Sequence, residues 1–596
     1  MTSSHPHVLR YPQQVGPSPR VPSAIATVVS IAALLGGTLP IGCSQRGGAL
    51  GPPDSSTRGS GEDSGVVHVP SGDAAEADAS LPVPRTLDLA EDCFIQGVTD
   101  DGYVVYSTSN AVKAVPIAGG TPIVLLQTSG DATVMHNVVF LWSSFLDAGL
   151  GNDATLMIWT SRLGAPQVVG ATAVWSVAAA SSDSSWIVYA TSPSLEHSTV
   201  SLYAASVSAP GDASLSAFGA GSPLGSRTLL ADNLDAIDYS CLPIVAFSGT
   251  SATGVAGQVG NEHAVVLSCN VQGAFESVTS YAPESWKETP LTGAALGFSS
   301  ENVGVRAALS VDATGLYAAV ATQGGQLLVA RLDGSEAVAI DIPGTVSAAH
   351  NGTNIYPAFF GGTSFGNLEC SGLCGQTTVY LSRSDDFVLY STASGALRTS
   401  TVTVSTPRTL VGSGVGAIDA VSPDETWALF DSGQDPTTDL SLTPISSGGA
   451  GSLLVSGTNV GIFGDPFTAD SRFAVFLTNV VNDAANASIG SLQAVAMDDP
   501  GTLIPLAGVA ASSAFLSATD IQMGGSKVSF VDAYNGSVGA QGAVDIHVID
   551  LSVTHASTVI ARSVDPIYAV SHDQANVVFT VSQGGVRDGI YTVSVP

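Results

Sequence analysis

One short pattern recurs along most of the chain and constrains its fold more than any other feature. A polar turn containing an aspartate precedes a β-rich run, and an aromatic residue follows that aspartate by six positions. The clearest copies are Asp100…Tyr106, Asp183…Tyr189, Asp424…Phe430, Asp470…Phe476 and Asp573…Phe579. Looser copies surround Asp312 and Asp385, and strand-like runs without the full turn start near Asn137, His263 and Val528. Ten such units at a period of roughly 50 residues predict a repeat architecture.

Each unit predicts a small antiparallel sheet. Val, Ile, Thr, Tyr and Phe alternate with polar residues in short runs, and no stretch keeps the 3.6-residue period of an amphipathic helix. Four-stranded units at this period are typical of propeller blades. The segment Ser422-Pro423-Asp424-Glu425-Thr426-Trp427 resembles the S-P-D-G-x-x signature of TolB-type, or WD40-like PD40, β-propeller repeats. The predicted fold class is all-β: a propeller of about seven to ten four-stranded antiparallel blades.

The two ends of the repeat region predict closure of a ring. The final unit reaches Pro596 with three recognisable strands, whereas Pro84-Arg85-Thr86-Leu87 resembles the strands that end other units at 226–229 and 407–410. We therefore expect residues 85–89 to supply the fourth strand of the last blade, which removes an open sheet edge. Ten units exceed the usual four to eight blades. One large ring, two smaller rings and misread insertions all stay open at this point.

The first 42 residues predict export. Arg10 and Arg20 are the only charged residues before residue 43, and an apolar run follows from Ala24 to Leu35. As a helix this run rises about 18 Å, too little for a bilayer core of about 30 Å, and the pattern is typical of a secretory signal. The continuation Leu39-Pro40-Ile41-Gly42-Cys43 resembles a bacterial lipobox, which implies a lipid on Cys43. Ordinary signal-peptidase cleavage without lipid is the alternative.

The rest of the chain divides into two parts. Residues 43–83 are rich in Gly, Ser, Pro, Asp and Ala. Such a segment cannot bury enough apolar surface to offset its ordering entropy, so it predicts a flexible tether. Residues 84–596 then form the propeller, with an irregular insertion at about 344–376.

The repeated aspartates predict a structural role. A carboxylate at the start of a tight turn accepts backbone N–H bonds and fixes the hairpin. We therefore expect Asp100, Asp183, Asp424, Asp470 and Asp573 to be turn residues; a catalytic or metal-binding role is the alternative. The loops that follow the core strand vary in length and predict a recognition face, although loop tips also tolerate insertion without function. These loops span residues 144–153, 191–199, 431–439, 479–490 and 532–543.

The cysteines predict disulfides but not their full pairing. Five remain if Cys43 carries a lipid, so one thiol stays unpaired within the chain. Cys370 and Cys374 predict a small disulfide loop in the insertion, with a redox or zinc role as the alternative. Cys241 and Cys269 fall on neighbouring predicted strands and form a second candidate pair. A bond between Cys93 and Cys241 is the competing arrangement.

No catalytic constellation emerges from the sequence. Gly362, Ser364 and Gly366 fit the G-x-S-x-G pattern, but they lie in the Gly-rich insertion without the strand and helix that a nucleophile elbow needs. The histidines form no H-E-x-x-H motif, and no nucleotide-binding fingerprint occurs in a strand-to-helix setting. We therefore predict no cofactor and no metal site. Carboxylates that converge from different blades would escape this search, because their sequence spacing is arbitrary.

Charge narrows the choice of partner. The chain has 18 Lys and Arg against 50 Asp and Glu, a formal net charge of −32, and only 11% of its residues are charged. A nucleic-acid-binding protein needs a basic face, so this class is excluded. The sequence favours a monomeric, non-catalytic, exported lipoprotein of the bacterial cell envelope, whose propeller binds an envelope protein or a glycan. The alternative is an exported propeller enzyme, a polysaccharide hydrolase or lyase with carboxylates at the central channel.

Overall fold

The computed structural model describes most of the chain between residues 82 and 595. The described ranges are 82–90, 92–128, 130–143, 155–170, 173–191, 199–207, 227–235, 244–247, 263–269, 275–283, 285–291, 307–311, 316–322, 327–341, 379–384, 386–392, 394–431, 438–447, 451–458, 460–461, 466–482, 487–513, 522–523, 525–532, 544–565, 568–582 and 587–595. The predicted signal and insertion lie outside these ranges, as does the predicted tether except for its last two residues, 82 and 83. No helix in the described part of the chain is long and apolar enough to cross a bilayer.

The described residues form forty strands, four to a blade, in ten blades. Blades 1 to 5 contain β2 (Phe94–Val98), β3 (Tyr103–Thr108), β4 (Ala111–Pro116), β5 (Ile123–Leu126); β6 (Gly130–Met135), β7 (Val138–Ser143), β8 (Thr155–Trp159), β9 (Gln167–Gly170); β10 (Ala173–Ala180), β11 (Trp186–Thr191), β12 (Thr199–Ser206), β13 (Thr228–Asp235); β14 (Ile244–Phe247), β15 (Ala264–Cys269), β16 (Phe275–Ala282), β17 (Lys287–Pro290); and β18 (Ala307–Val311), β19 (Tyr317–Thr322), β20 (Leu327–Arg331), β21 (Ala337–Asp341).

Blades 6 to 10 continue the same order. They contain β22 (Val379–Leu381), β23 (Phe387–Ser391), β24 (Leu397–Thr401), β25 (Arg408–Val411); β26 (Ile418–Val421), β27 (Trp427–Asp431), β28 (Thr438–Pro444), β29 (Ser452–Thr458); β30 (Val460–Gly461), β31 (Phe473–Asn482), β32 (Ala487–Ala496), β33 (Asp499–Ser513); β34 (Gln522–Met523), β35 (Lys527–Asp532), β36 (Val544–Asp550), β37 (Thr558–Val564); and β38 (Tyr568–Val570), β39 (Asn576–Val581), β40 (Gly589–Ser594), with β1 (Arg85–Asp88) as the fourth strand. A single bridge pair, Ala511 and Val531, also joins the sheets of blades 8 and 9.

The core lies between neighbouring blades, because each sheet packs on both of its faces. The second strand of a blade therefore reads as a continuous apolar run, as in Val104, Val105 and Tyr106, all 0% exposed. One core cluster brings together Phe140 of blade 2 and Tyr189 of blade 3. The predicted all-β propeller with four-stranded antiparallel blades is confirmed, and the number of blades is ten.

The predicted closure by the two chain ends is also confirmed. Strand β1 pairs antiparallel with β40, with Arg85 opposite Thr592 and Thr86 opposite Tyr591. Leu87 is 6% exposed and packs in a core cluster with Ile590 of blade 10 and Val104 of blade 1. The N-terminal strand thus completes the last blade and lies against the first.

A partly buried polar cluster lies at this junction. The hydroxyl of Tyr106 donates to Asp88 Oδ2 at 2.5 Å, and Lys113 Nζ lies 3.1 Å from the same oxygen. Burial and the bond to Asp88 both raise the pKa of Tyr106. Cys93 nearby is a free thiol that donates to the carbonyl of Ala90, and burial raises its pKa to about 12.

The first strands of adjacent blades contact one another, as β2 does with β6 and with β38. This places the first strands at the centre of the ring and the fourth strands at its rim. Because the strands are antiparallel, turns after the first and third strands lie at one end, and loops after the second strand lie at the other. We call these ends the turn face and the loop face.

Candidate functional site: the turn face of the ring

The aspartate turns are built from a hydroxyl and a carboxylate that bond to the same short segment. In blade 7, Ser422 Oγ donates to Asp424 Oδ1 at 2.7 Å and accepts from the N–H of Trp427 at 2.9 Å. Asp424 Oδ1 accepts from the N–H of Thr426 at 3.1 Å. Glu425 between them has φ 58°, a left-handed conformation that these bonds hold in place. The turn is therefore a locally satisfied unit.

Three further turns repeat this geometry. Asp183, Asp470 and Asp573 each accept from the hydroxyl two residues before and from the N–H two residues after. Burial would raise the pKa of Asp183 and of Asp470, but the hydrogen bonds outweigh it and hold both pKa values below the ordinary range. The bond from Ser571 is the main cause of the lowered pKa of Asp573. These carboxyl groups are ionised turn acceptors.

The first turn differs from the others by one residue. Thr99 Oγ1 donates to Asp101 Oδ1 at 2.5 Å and accepts from the N–H of Tyr103 at 2.9 Å, and Gly102 takes the left-handed position. The turn carboxylate in blade 1 is thus Asp101, not the Asp100 that the spacing selects. Counting six positions back from the aromatic Tyr106 selects Asp100, because this turn is one residue shorter than the other turns.

Asp100 instead lies between two histidines at the junction of blades 10, 1 and 2. His136 Nδ1 of blade 2 is 3.2 Å from Asp100 Oδ2, and His572 Nδ1 of blade 10 is 3.8 Å from Asp100 Oδ1. His136 is 8% exposed, and its Nε2 is buried without a hydrogen-bond partner among the described residues. The sequence does not predict this grouping, because the two histidines lie more than 400 residues apart in the chain.

Neighbouring turns are joined by hydrogen bonds that run in one direction around the ring. A backbone N–H of one turn donates to the next blade, usually to the residue in the left-handed conformation. The pairs are Asp101 to Asn137 Oδ1 (2.7 Å), Asn137 to Ser184 Oγ (3.0 Å), Arg383 to Glu425 Oε1 (2.6 Å), Asp424 to Ser471 Oγ (2.9 Å) and Asp470 to the carbonyl of Gly525 (3.2 Å). Among the described residues, these bonds link blades 1 to 3 and blades 6 to 9 at the turn face.

Arginines on fourth strands make a corresponding link at the rim. Arg85 donates to the carbonyl of Ala118 at 2.8 Å, and Arg408 donates to the carbonyls of Ile445 and Ser446 at 2.5 Å. In both cases the acceptor lies in the next blade. This accounts for two of the three Arg-Thr-Leu segments; in the third, Arg227 lies over the ring of Tyr203 in its own blade.

Carboxylates are sparse at the centre of the ring. Across the ten first strands as bounded above, the acidic residues are Asp131 on β6 and Asp419 on β26. Asp419 is 2% exposed. These strands belong to blades 2 and 7, five positions apart around the ring. Among the described residues, no group of three or more His, Cys, Asp or Glu side chains is placed to hold a metal ion.

The remaining predicted sites lie outside the described residues. This applies to Cys43, Cys241, Cys370 and Cys374, to most of the five variable loops, and to the side chain of Cys269 on β15. The bounding strands still locate the loops: all five connect a second strand to a third strand, and so belong to the loop face.

Comparisons with known proteins give distant likenesses. No protein-family model and no curated protein matches the sequence. Among solved structures, a eukaryotic initiation factor matches with a TM-score of 0.41 and 12% identity, over 72% of this chain and 91% of that chain. An oligogalacturonate lyase in complex with manganese gives 0.30 and 10%, over 77% and 96%. A TolB protein from Agrobacterium tumefaciens gives 0.22 and 11%, over 48% and 86%. The ten four-stranded blades of the chain themselves show that it is a β-propeller protein.

Proposed function

We propose that this protein is a non-catalytic, lipid-anchored scaffold of the bacterial cell envelope, which presents the loop face of its propeller to another envelope protein or to a glycan. The observation that carries the proposal is the use of the repeated carboxylates. Asp101, Asp183, Asp424, Asp470 and Asp573 each bond to a hydroxyl of their own turn. They build a framework of turns, and the hydrogen bonds hold the pKa values of Asp183, Asp470 and Asp573 below the ordinary range.

A binding role is supported by the contrast between the two faces of the propeller within this chain. The turn face is held by similar short turns, whereas the five connections on the loop face differ in length and composition. Loops held by a rigid scaffold are the usual location of recognition. The enzyme alternative needs acids that converge at the channel. On the first strands it has Asp131 and Asp419, in blades five positions apart.

Capture from the envelope tests the binding role. A photo-crosslinking residue in place of Ala484, between the second and third strands of blade 8, should give a discrete crosslinked partner in living cells. The matched control is the same residue at Val553, which is 79% exposed on the turn face of blade 9. It should give no such product. Equal crosslinking from both positions would contradict a role for the loop face.

Anchoring is tested at Cys43. The full chain should incorporate labelled palmitate and partition with membranes, and Cys43→Ala should abolish the labelling and release the protein. The control is Cys370→Ala, which leaves the lipobox intact. Unchanged labelling in Cys43→Ala would rule out the lipoprotein assignment, while a protein that is exported without label would indicate ordinary signal cleavage.

A further inference from the structure

A small cavity lies on the turn face between blades 2 and 3, on the opposite end of the ring from the variable loops. Its volume is about 50 Å³, and Asn137, Thr160, Ser161, Arg162, Leu163, Ser184 and Val207 line it. One water needs roughly 10–15 Å³ of such space. The cavity therefore has room for a few waters or for the three heavy atoms of a carboxylate.

Two of the polar side chains around the cavity already accept a hydrogen bond and still have donor groups to offer. Asn137 Oδ1 accepts from the N–H of Asp101 at 2.7 Å, which leaves the amide NH₂ of Asn137. Ser184 Oγ accepts from the N–H of Asn137 at 3.0 Å, which leaves its O–H. Thr160 is 4% exposed and adds a further hydroxyl. Of these residues Thr160 and Ser184 are buried and Asn137 is half-buried, and donors with little access to water are stabilised by an acceptor from outside.

Arg162 adds a positive charge to this wall. Its side chain is exposed and makes no hydrogen bond or ion pair with the described residues. Arg331, the last residue of the third strand of blade 5, differs in that its guanidinium lies 3.0 Å from Asp333. An arginine that forms no ion pair and lies beside a set of donors is an arrangement suited to an oxyanion, through the paired N–H groups of the guanidinium.

We propose that this cavity binds a carboxylate group of a small ligand, with Arg162 supplying the charge and Asn137, Ser184 and Thr160 the remaining donors. The nearby carboxylate of Asp101, which accepts from Ser161, decides the class of anion. Its negative charge disfavours a doubly charged phosphate more than a singly charged carboxylate. The site is separate from the loop face, so the proposed scaffold function does not depend on it.

Saturation-transfer NMR on the full chain tests the site with three probes: sodium acetate, sodium glucuronate and glucose. Wild-type protein should bind both carboxylates and not glucose, with an affinity that falls as salt is raised. Arg162→Gln should weaken binding at least tenfold, and Arg331→Gln, the matched control, should leave it unchanged. If acetate and glucuronate bind with equal affinity, the site recognises the carboxylate alone. If glucuronate binds more tightly, the site also contacts the sugar. Both results support the site.

Three results would overturn the site: no binding by wild-type protein, equal binding by wild type and Arg162→Gln, or displacement of bound acetate by inorganic phosphate, added as a competitor, at a concentration below the dissociation constant of acetate. Folding does not confound the comparison, because Arg162 makes no structural bond in the described chain and its variant should melt with wild type. Crosslinking from position 484 that persists in Arg162→Gln would show that the scaffold function stands independently of this outcome.

Discussion

Deletion of residues 84–90 should destabilise the propeller far beyond what the loss of seven residues suggests. We expect the free energy of unfolding to fall by about 5–10 kcal/mol, from the sum of one buried leucine, the lost strand pairing and the buried groups left unpaired. For a domain of this size such a loss lowers the melting temperature by roughly 5–10 °C. Differential scanning calorimetry of the full chain measures it.

The reason is that the deleted strand serves two blades. It supplies the pairing partner of β40 and buries Leu87 between blades 10 and 1. It also carries Asp88, the acceptor for the fully buried hydroxyl of Tyr106 and the ion-pair partner of Lys113. Without it, Tyr106 keeps a buried hydroxyl and loses that acceptor. The edge of β40 is then open to pairing with another chain, so aggregation should increase as well.

A deletion of equal length in the predicted tether, residues 60–66, is the control. It should change the melting temperature by less than about 1 °C, because that segment has too little apolar surface to form a core. If the two deletions shift the melting temperature equally, the closure of the ring by β1 does not stabilise the protein.

The closure could be predicted from sequence for a simple physical reason. Strands of one blade lie next to each other in sequence, and the last unit has only three. The N-terminal segment Arg85-Thr86-Leu87 matches the fourth strands of other units. Pairing this segment with the last unit therefore completes the blade. The register of β1 against β40 could not be predicted. It shifts between Thr86 and Asp88, and this shift directs Asp88 toward Tyr106.

The turns show where sequence reasoning reaches its limit. An aspartate in a polar turn and an aromatic within the strand that follows suffice to recognise the local unit. They do not reveal contacts between units, which depend on the packing of blades. The cavity beside Arg162 and the position of Asp100 between His136 and His572 arise from residues of two or three blades. Such groupings have no fixed spacing in the chain.

The turn face links neighbouring blades, and substitution of a single carboxylate can test this structural role. Glu425, in the left-handed position of the blade 7 turn, reaches back to blade 6. Its Oε1 accepts from the hydroxyl of Tyr380 at 2.6 Å and from the N–H of Arg383 at 2.6 Å. Tyr380 is 1% exposed. Hydrogen bonds to a carboxylate from groups with little access to water are among the stronger ones in a protein.

Glu425→Ala should therefore lower the free energy of unfolding by about 3 kcal/mol, since two bonds of roughly 1.5 kcal/mol each are lost and their donors stay away from water. The corresponding fall in melting temperature is about 3 °C. Glu425→Gln keeps an oxygen acceptor with the same reach and should lose less than half as much. The two variants share the left-handed backbone, so their difference isolates the link between blades. If alanine and glutamine have equal effects, the charge of Glu425 matters and its contacts to Tyr380 and Arg383 do not; if neither has an effect, the turns do not hold neighbouring blades together.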